Sequence, residues 1–246
     1  MLEDLNKPVI LTYAQRSIDR GSSDAALNLT CASYAALSEI AEVTLVGHAT
    51  LNDDYCFALR GNKVRKMHTS RRDTFRPINE LPLAKIYENG DIKIINKNFN
   101  KRDEKKKLKL KAFFEERTAL IKFYPGAKPD ILQFLRQQHY KGIVIEATGF
   151  GHVATSESRY SWLGEIRKCI NEGIIICFVP QTIYGRLNPY VYSPSRKLLK
   201  SGVLFLEDML AETAYIKLAW LLGHKKLNNK EEKIKASSLL YSLLYR

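Results

Sequence analysis

The sequence predicts an α/β protein with parallel sheets, divided into two halves by a strongly basic segment. On both sides of that segment, short apolar runs of the kind found in buried parallel strands alternate with stretches whose apolar residues recur at helical spacing. Such alternation is typical of a parallel sheet covered by helices on both faces, which makes three layers. With 246 residues, 45% of them apolar, the chain is long enough to bury a core in each half.

In the first half, β-rich apolar runs predict strands, and two dipeptides predict hairpins. The predicted strands are residues 8–12, 43–47, 55–60, 63–68, 83–87 and 92–95. Gly61-Asn62 and Asn89-Gly90 suit two-residue turns, so each is predicted to join the strands on either side of it. A helix between the first two strands is predicted to begin at Ser22 or Ser23 and to continue to residue 42. Its predicted apolar face carries Ala26, Leu29, Thr30 and Leu37.

The second half shows a more regular alternation. The predicted strands are residues 120–124, 142–147 and 174–179, and the predicted helices are residues 129–138, 160–171, 196–200 and 208–222. Residues 230–246 predict one more helix, charged on one side and with leucines and tyrosines on the other. This half is therefore expected to contain a complete parallel sheet.

The cysteines and the first residues favour a cytoplasmic protein without a metal. Cys31, Cys56, Cys169 and Cys177 form no CxxC pair and lack a histidine at metal-ligand spacing, so the sequence predicts reduced, buried thiols and neither a zinc site nor a disulfide framework. Acidic residues stand where a secretory signal would be positive, and no apolar run approaches the roughly 20 residues that a membrane span needs.

The basic segment is predicted to be a linker between two domains. Residues 97–111 carry eight lysines and arginines, and the net charge of the chain is +13. We expect domains at residues 1–96 and 117–246, joined by a linker at residues 97–116. A run of like charges is usually solvated, although it also suits contact with RNA, because lysine and arginine neutralise phosphates. The sequence leaves both interpretations open.

Two polar loops follow neighbouring strands of the second half, at the edge where ligands bind in open α/β sheets. Thr148-Gly149-Phe150-Gly151-His152 follows one strand, and a loop with Gln181, Thr182, Tyr184 and Arg186 follows the next. Glycines there allow backbone N–H groups to approach an anion or a carbonyl oxygen, but a plain tight turn is an equally simple explanation. His152 is a candidate for binding substrate, or a turn histidine bonded to backbone.

Residues 63–76 (KVRKMHTSRRDTFR) contain the candidate catalytic residue Lys66, on a predicted strand that runs into a polar loop. A lysine acts as a base only when burial and neighbours bring its pKa, about 10.4 in solution, toward working pH. Such a site also needs a hydroxyl nucleophile and an acidic partner. No residue before Lys66 looks like that nucleophile, so the remaining catalytic residues are expected on another chain.

Five separated motifs resemble the asparaginase family and, within it, the archaeal glutamyl-tRNA(Gln) amidotransferase subunits D. They are LNKPVILTYAQRSIDRGSSDAALNL, DDYCFALRGNKVRKMHTSRRDTFRPIN, GIVIEATGFGHV, PQTIYGRLNPYVYS and EDMLAETAYIKLAWLLGH, in the family's order and spacing. The resemblance runs from about residue 5 to residue 224 and implies an asparaginase-like α/β architecture, with an incomplete N-terminal domain and a complete smaller C-terminal domain. Tyr13 departs from the family, which usually has glycine there.

In the family, a threonine in an N-terminal glycine-rich loop attacks the amide, assisted by a second threonine, an aspartate and a lysine. The resemblance assigns that lysine to Lys66, eight residues before Thr74. The other three residues would fall before Met1. In relatives, a loop at the position of residues 149–152 reaches the active site of a neighbouring protomer, which makes His152 a possible substrate-binding residue and implies a dimer.

The resemblance also implies partners and cofactors. The ammonia released from glutamine or asparagine would pass to a partner tRNA-amidotransferase subunit, which uses ATP and magnesium to convert Glu-tRNA(Gln) into Gln-tRNA(Gln). Neither a cofactor nor a metal is expected in this chain, and tRNA(Gln) is expected mainly on the partner. A separate N-terminal chain is expected to complete the catalytic site, so the strand at residues 8–12 should leave an open sheet edge and an exposed apolar face.

Two alternatives remain at the level of sequence. One is half of an L-asparaginase that hydrolyses free asparagine without tRNA. The other is a non-catalytic module that binds a partner and no longer takes part in chemistry.

Overall fold

The structure is a computed structural model that describes residues 1–156 and 158–224. The chain divides into two compact units, Met1–Lys111 and Ala112–Arg246, and each is described by itself. The predicted helix at residues 230–246 lies outside the described residues. Within them, no helix is long and apolar enough to cross a membrane.

The first unit is built on a five-stranded sheet in the order β2-β3-β4-β7-β8. Its strands are β2 (Val9–Thr12), β3 (Val43–His48), β4 (Cys56–Arg60), β7 (Ala84–Ile86) and β8 (Ile92–Ile94). Only β2 and β3 are parallel to each other, and the other neighbours are antiparallel. The sheet is therefore mixed. The hairpin predicted at Asn89-Gly90 is confirmed as β7 and β8, and Gly90 adopts the positive φ of +93° that this turn requires.

The hairpin predicted at Gly61-Asn62 is wrong. Strand β4 pairs with β3 and β7, while β5 (Val64–Lys66) pairs with β6 (Phe75–Pro77) in a separate two-stranded sheet. The turn itself forms, because the Lys63 N–H donates to the carbonyl of Arg60 at 3.0 Å. Strand β4 instead extends the central sheet, where Ala58 and Leu59 become buried. Cross-strand packing thus overrides a locally favourable turn.

Helix α1 (Ala25–Leu37) connects β2 to β3 and packs on the sheet through a face different from the predicted one. The buried residues of the helix are Leu27, Asn28, Cys31, Ala32 and Ala35. Leu29 and Leu37 are 62% and 76% exposed instead. Strand β2 lies at the edge of the sheet, and its Leu11 is 54% exposed. The unit therefore presents a strand edge and an apolar helix face that the described residues do not cover.

Much of the segment predicted as a linker is bound to the first unit. Strand β9 (Lys109–Leu110) pairs with β1 (Leu2–Glu3), and backbone N–H groups of Arg102 and Asp103 donate to the carbonyls of Glu39 and Asn6. The basic side chains of this segment are exposed, and two of them form ion pairs, Lys109 with Asp4 at 3.0 Å and Lys111 with Glu3 at 2.8 Å.

The second unit contains a four-stranded parallel sheet in the order β10-β11-β12-β13. Its strands are β10 (Thr118–Lys122), β11 (Gly142–Ala147), β12 (Ile175–Pro180) and β13 (Leu204–Phe205). Helices α2 (Asp130–Gln137), α3 (Leu163–Asn171) and α4 (Ser193–Lys200) contribute to the core on one face, and α5 (Ala211–His224) covers the other. The three-layer arrangement predicted from the sequence is confirmed in this unit.

Alternate residues of β11 and β12 enter the two cores, as the two-residue period of a strand requires. Ile145 and Phe178 pack in the core shared with α2, α3 and α4, whereas Val144 and Cys177 pack against α5. All four side chains are fully buried. This burial on both faces explains why the two strands are continuously apolar in the sequence.

We expect Ile145→Ala to lower the free energy of unfolding of this unit by about 3 kcal/mol, because it removes methyl groups from a filled core. The matched control is Leu120→Ala on the neighbouring strand, where the side chain is 37% exposed and the cost should be under about 1 kcal/mol. Urea unfolding followed by tryptophan fluorescence measures both. Equal losses in the two variants would contradict the assignment of the core.

Burial lowers the pKa of Lys217 on α5 to about 8. This value lies below that of an unfolded lysine, so the unfolded chain binds more protons between about pH 8 and pH 10.4, and stability should rise with pH across that window. We therefore expect Lys217→Met to raise the urea midpoint at pH 7 and to lose most of that advantage at pH 10. Lys200→Met, at an exposed position of α4, is the control. A benefit of Lys217→Met that does not change with pH would contradict the role of charge.

Candidate active site

Lys66 lies at the end of β5, where the chain enters the loop of residues 67–74. It stands opposite Phe75 in the β5–β6 register, and its Nζ lies 6.0 Å from the centre of the Phe75 ring. The side chain is exposed. No ion pair of Lys66 occurs among the residues that the structure describes. The hairpin therefore presents the amine to solvent, where a group from outside these residues could reach it.

The loop after Lys66 is closed by hydrogen bonds at its two ends. The Met67 N–H donates to the Thr74 carbonyl at 2.7 Å, and the His68 N–H donates to Oγ1 of Thr74 at 3.1 Å. The Thr74 hydroxyl in turn donates to the His68 carbonyl. Nδ1 of His68 accepts from the backbone N–H groups of Ser70 and Arg71. His68 is thus part of a turn, and its Nδ1 is not free to bind a ligand.

Asp73 anchors the loop from within. Its side chain is 3% exposed, and its carboxylate accepts from Nε and Nη2 of Arg71 at 2.9 and 3.0 Å and from Arg76. Burial alone would raise the pKa of Asp73, but the hydrogen bond from Arg71 and the positive charges of Arg76 and Arg71 outweigh it and hold the pKa below its usual range. The carboxylate therefore stays charged at neutral pH.

Tyr13, the departure from the family pattern, ties the loop after β2 to the Lys66 hairpin. Its hydroxyl donates to the carbonyl of Arg72 at 3.0 Å, and its ring lies 4.6 Å from that of Phe75. The ring also lies against Gly47, where an added Cβ would approach it to 2.3 Å. Burial raises the pKa of Tyr13, so the hydroxyl remains a donor at neutral pH. Tyr13 and Gly47 thus fit together as a pair.

Sequence reasoning missed a chain of polar groups beneath this loop. Nδ1 of His48 lies 2.6 Å from Oδ1 of Asn28, and its Nε2 lies 2.9 Å from Oδ1 of Asp53. The same Asp53 oxygen accepts from Nη1 of Arg72 at 2.7 Å. Polar residues that are buried in a strand and a helix, such as His48 and Asn28, are the sequence signal for such a contact, but their partner is visible only in three dimensions.

His152 lies in the second unit, in the turn that follows β11. The turn is closed by the Thr148 N–H and Oγ1, which both donate to the His152 carbonyl at 3.0 Å. The imidazole ring lies 5.0 Å from that of Tyr192, and burial lowers the pKa of His152. Its Nε2 is buried and has no hydrogen-bond partner among residues 1–156 and 158–224. The histidine is therefore neutral near pH 7, with one ring nitrogen available.

The glycines of this turn serve packing as well as conformation. Gly151 has a φ of +105°, and a Cβ there would approach the Phe205 ring to 2.5 Å. The buried Ser195 hydroxyl donates to the Gly151 carbonyl at 3.0 Å. The loop after β12 also has a structural part, because Nε2 of Gln181 donates to the carbonyls of Phe123 and Glu146. Gln181 thus fastens the ends of β10 and β11, and its amide nitrogen is not free to bind a ligand.

The described residues contain no group of three or more histidine, cysteine, aspartate or glutamate side chains that could hold a metal ion. All four cysteines are buried and free. Lys66 belongs to the first unit and His152 to the second. The first unit thus provides an accessible amine on a rigidly closed loop, which is one component of a catalytic site.

The fold and this site define a class of α/β protein related to the amidohydrolases, and the family comparisons agree. Residues 1–100 match the family model of the asparaginase N-terminal domain, and residues 117–236 match that of the glutaminase/asparaginase C-terminal domain. The chain belongs to the asparaginase family.

Its sequence is similar to archaeal glutamyl-tRNA(Gln) amidotransferase subunits D. It is 51% identical to that of Pyrococcus abyssi over 232 residues, which are 94% of this chain and 51% of the relative. The protein of the same name from Methanothermobacter thermautotrophicus is 50% identical over 216 residues, 88% of this chain and 48% of the relative. The chain spans about half the length of the curated relatives it matches.

Solved L-asparaginases share the fold. The thermostable enzyme of Thermococcus kodakarensis superposes with a TM-score of 0.82 at 23% identity, over 96% of this chain and 67% of that one. L-asparaginase I of Vibrio cholerae gives a TM-score of 0.78 at 26% identity, with the same coverage. The asparaginase-like architecture expected from the sequence is confirmed.

We expect Asp73→Asn to destabilise the first unit by about 2 kcal/mol at pH 7, because two arginines lose a charged partner. Since the pKa of Asp73 is depressed in the folded state, this contribution is complete above about pH 4, the value for an unfolded aspartate, and is lost as the pH falls through the folded-state pKa. Urea unfolding of the variant and the parent at pH 7 and pH 3 measures it. A difference that persists undiminished at pH 3 would contradict this account.

Proposed function

We propose that the chain is part of the amidase subunit of a tRNA-dependent amidotransferase, which releases ammonia from glutamine or asparagine for the conversion of Glu-tRNA(Gln) into Gln-tRNA(Gln). The observation that carries the proposal is the position of Lys66 at the mouth of a closed loop, in a chain about half identical to subunits D. About 50% identity to relatives that are named as such subunits favours this function over that of a free asparaginase.

In the proposed reaction Lys66 manages a proton and does not itself attack. A threonine hydroxyl attacks the carboxamide carbon, the tetrahedral intermediate collapses, and the amide nitrogen leaves as ammonia. Lys66, with an aspartate and a second threonine, would take the proton of the attacking hydroxyl and return it to the leaving nitrogen. Water would then release the carboxylic acid. His152, with one unpartnered ring nitrogen, is proposed to contact the substrate.

The attacking threonine, the second threonine and the aspartate are proposed to come from a complementing N-terminal chain. The free edge of β2 and the exposed Leu11 support this, because an additional strand can pair there. Leu29 and Leu37 lie exposed on the outer face of α1 and offer apolar surface to the same partner. The edge strand and the helix face together suit a strand-and-helix segment.

The remaining parts of the proposed assembly follow from the same likeness. A partner tRNA-amidotransferase subunit would bind tRNA(Gln) and use ATP with magnesium, so neither cofactor is assigned to this chain. A dimer of the chain described here would bring the residue 149–152 loop of one copy to the other. The cytoplasm, where tRNA is aminoacylated, is the expected location.

We expect Lys66→Ala to reduce the glutaminase activity of the reconstituted assembly by about a thousandfold or more, since it removes a proton-transfer group. Lys66→Arg should be almost as inactive, because a guanidinium keeps the charge but stays protonated. The control is Lys63→Ala, on the same hairpin. Co-purification of the complementing chain shows that the assembly is intact. Substantial activity in either Lys66 variant would refute the role given to Lys66.

The structural likeness to L-asparaginases keeps a second function testable, namely half of an enzyme that hydrolyses free asparagine. The reconstituted protein, supplied with its tRNA-binding partner, glutamyl-tRNA, ATP and glutamine, should yield glutaminyl-tRNA under the first proposal. Asparagine hydrolysis without that product would favour the second. If no complementing chain restores any amidase activity, the chain is better explained as a non-catalytic binding module.

A further inference from the structure

The polar chain beneath the Lys66 loop joins three elements of the first unit through one buried imidazole. His48, at the end of β3, has a fully buried side chain, and its two ring nitrogens contact Asn28 on α1 and Asp53 in the loop after β3. Asp53 then contacts Arg72 of the Lys66 loop. The protonation state of His48 can be inferred from what these neighbours donate and accept.

The first ring nitrogen must carry a proton. The amide nitrogen of Asn28 donates to the Tyr13 carbonyl at 2.9 Å and to Oδ2 of Asp24 at 3.3 Å, and both of these atoms only accept. The opposite orientation of the amide would place its oxygen against two acceptors, so it is excluded. Oδ1 of Asn28 therefore faces His48, and it can only accept. Nδ1 of His48 is the donor in this contact of 2.6 Å.

The second ring nitrogen must carry a proton as well. Nε2 faces Oδ1 of Asp53 at 2.9 Å, and the same oxygen accepts from Nη1 of Arg72. The hydrogen bond with His48 holds the pKa of Asp53 below its usual range, so this carboxylate is ionised and can only accept. An unprotonated Nε2 would place a lone pair against a negative oxygen. Both nitrogens thus donate, which is the imidazolium form.

The charges around His48 are consistent with that form. Asp53 contacts the ring directly, and Asp24, which is fully buried at the start of α1, is joined to it through Asn28. Arg72 is the facing cation, and it is neutralised by Asp53. The Cys56 thiol of β4 donates to Oδ1 of Asn28 at 3.4 Å and is kept neutral by its raised pKa. One cation on the ring thus sits between two carboxylates.

We propose that His48 is held as an imidazolium and that, through Asp53 and Arg72, it positions the loop that carries Lys66. Arg72 is fixed at both ends, since its guanidinium is bonded to Asp53 and Leu51 and its carbonyl accepts from Tyr13. The loop is therefore set by the orientation of Asp53, which the charged ring determines. The mechanical part of this proposal stands alone, and its catalytic meaning rests on the proposed role of Lys66.

The full chain can be tested by NMR without any catalysis. In the parent at pH 7, long-range proton–nitrogen spectra should show both ring nitrogens of His48 protonated. In Asp53→Asn, the side chain introduced can donate, so Nε2 should lose its proton. Amide exchange of residues 67–74 should then accelerate about tenfold, the loss of one charge-assisted hydrogen bond. Asp53 has a side chain that is 66% exposed, so the variant should fold.

Two further variants make the test specific. Asp54→Asn changes the exposed neighbouring residue in the same way and should alter neither the ring nor the loop. Arg72→Gln should accelerate exchange in residues 67–74 while both ring nitrogens stay protonated. A parent His48 with a single protonated nitrogen would overturn the proposal. So would unchanged loop exchange in Asp53→Asn, or an equal acceleration in strand Ala84–Ile86, which would indicate a role in overall stability.

The catalytic consequence needs the reconstituted amidase. Asp53→Asn should lower kcat about tenfold with little change in KM, while Asp54→Asn should match the parent, because misplacing a catalytic group costs rate more than ground-state binding. If the loop responds as expected but kcat does not, the positioning of Lys66 is overturned while the amidase function stands. If the parent assembly has no amidase activity, the proposed function fails and the NMR result is unaffected.

Discussion

The buried carboxylate of Asp73 is the group on which the geometry of the Lys66 hairpin depends. Strands β5 and β6 have only three residues each and pair with each other in a sheet of their own, so the central sheet does not hold them by backbone hydrogen bonds. Most side chains of the loop between them are exposed and contribute little apolar burial. Short-range charge pairs, led by those of Asp73, must supply the order that apolar packing supplies elsewhere.

This dependence on polar contacts distinguishes the first unit from the second. In the second unit, fully buried strands and amphipathic helices determine the fold almost by pattern alone, and β11 (Gly142–Ala147) begins and ends where the sequence predicts. In the first unit the pattern misleads. Gly61-Asn62 forms a turn, but β4 finds its partners at β3 and β7, because the sheet offers more burial than a local hairpin could.

The face of α1 illustrates a second limit of prediction. Leu29 and Leu37 share one helical face, yet Leu27, Cys31 and Ala35 pack on the sheet instead. Periodicity can identify two apolar faces of a helix, but it cannot tell which one a given sheet covers when both are available. Lys66 could be identified because its motif is local. The contact between Asn28 and His48 could not, since it joins residues 20 positions apart through side chains that pattern alone treats as misplaced.

The misassigned helix face bears on whether the chain acts alone. Three leucines, Leu11, Leu29 and Leu37, are each more than half exposed on β2 and α1. Covering a leucine fully gains about 2 kcal/mol, so covering these three would add roughly 3 to 4 kcal/mol, before the hydrogen bonds of a strand paired to β2 are counted. That gain is sufficient to favour docking of a complementary segment, and the segment would arrive on the unit that carries Lys66. The surface that remains uncovered and the catalytic residues that the chain lacks therefore support the same inference, an amidase site completed by another polypeptide.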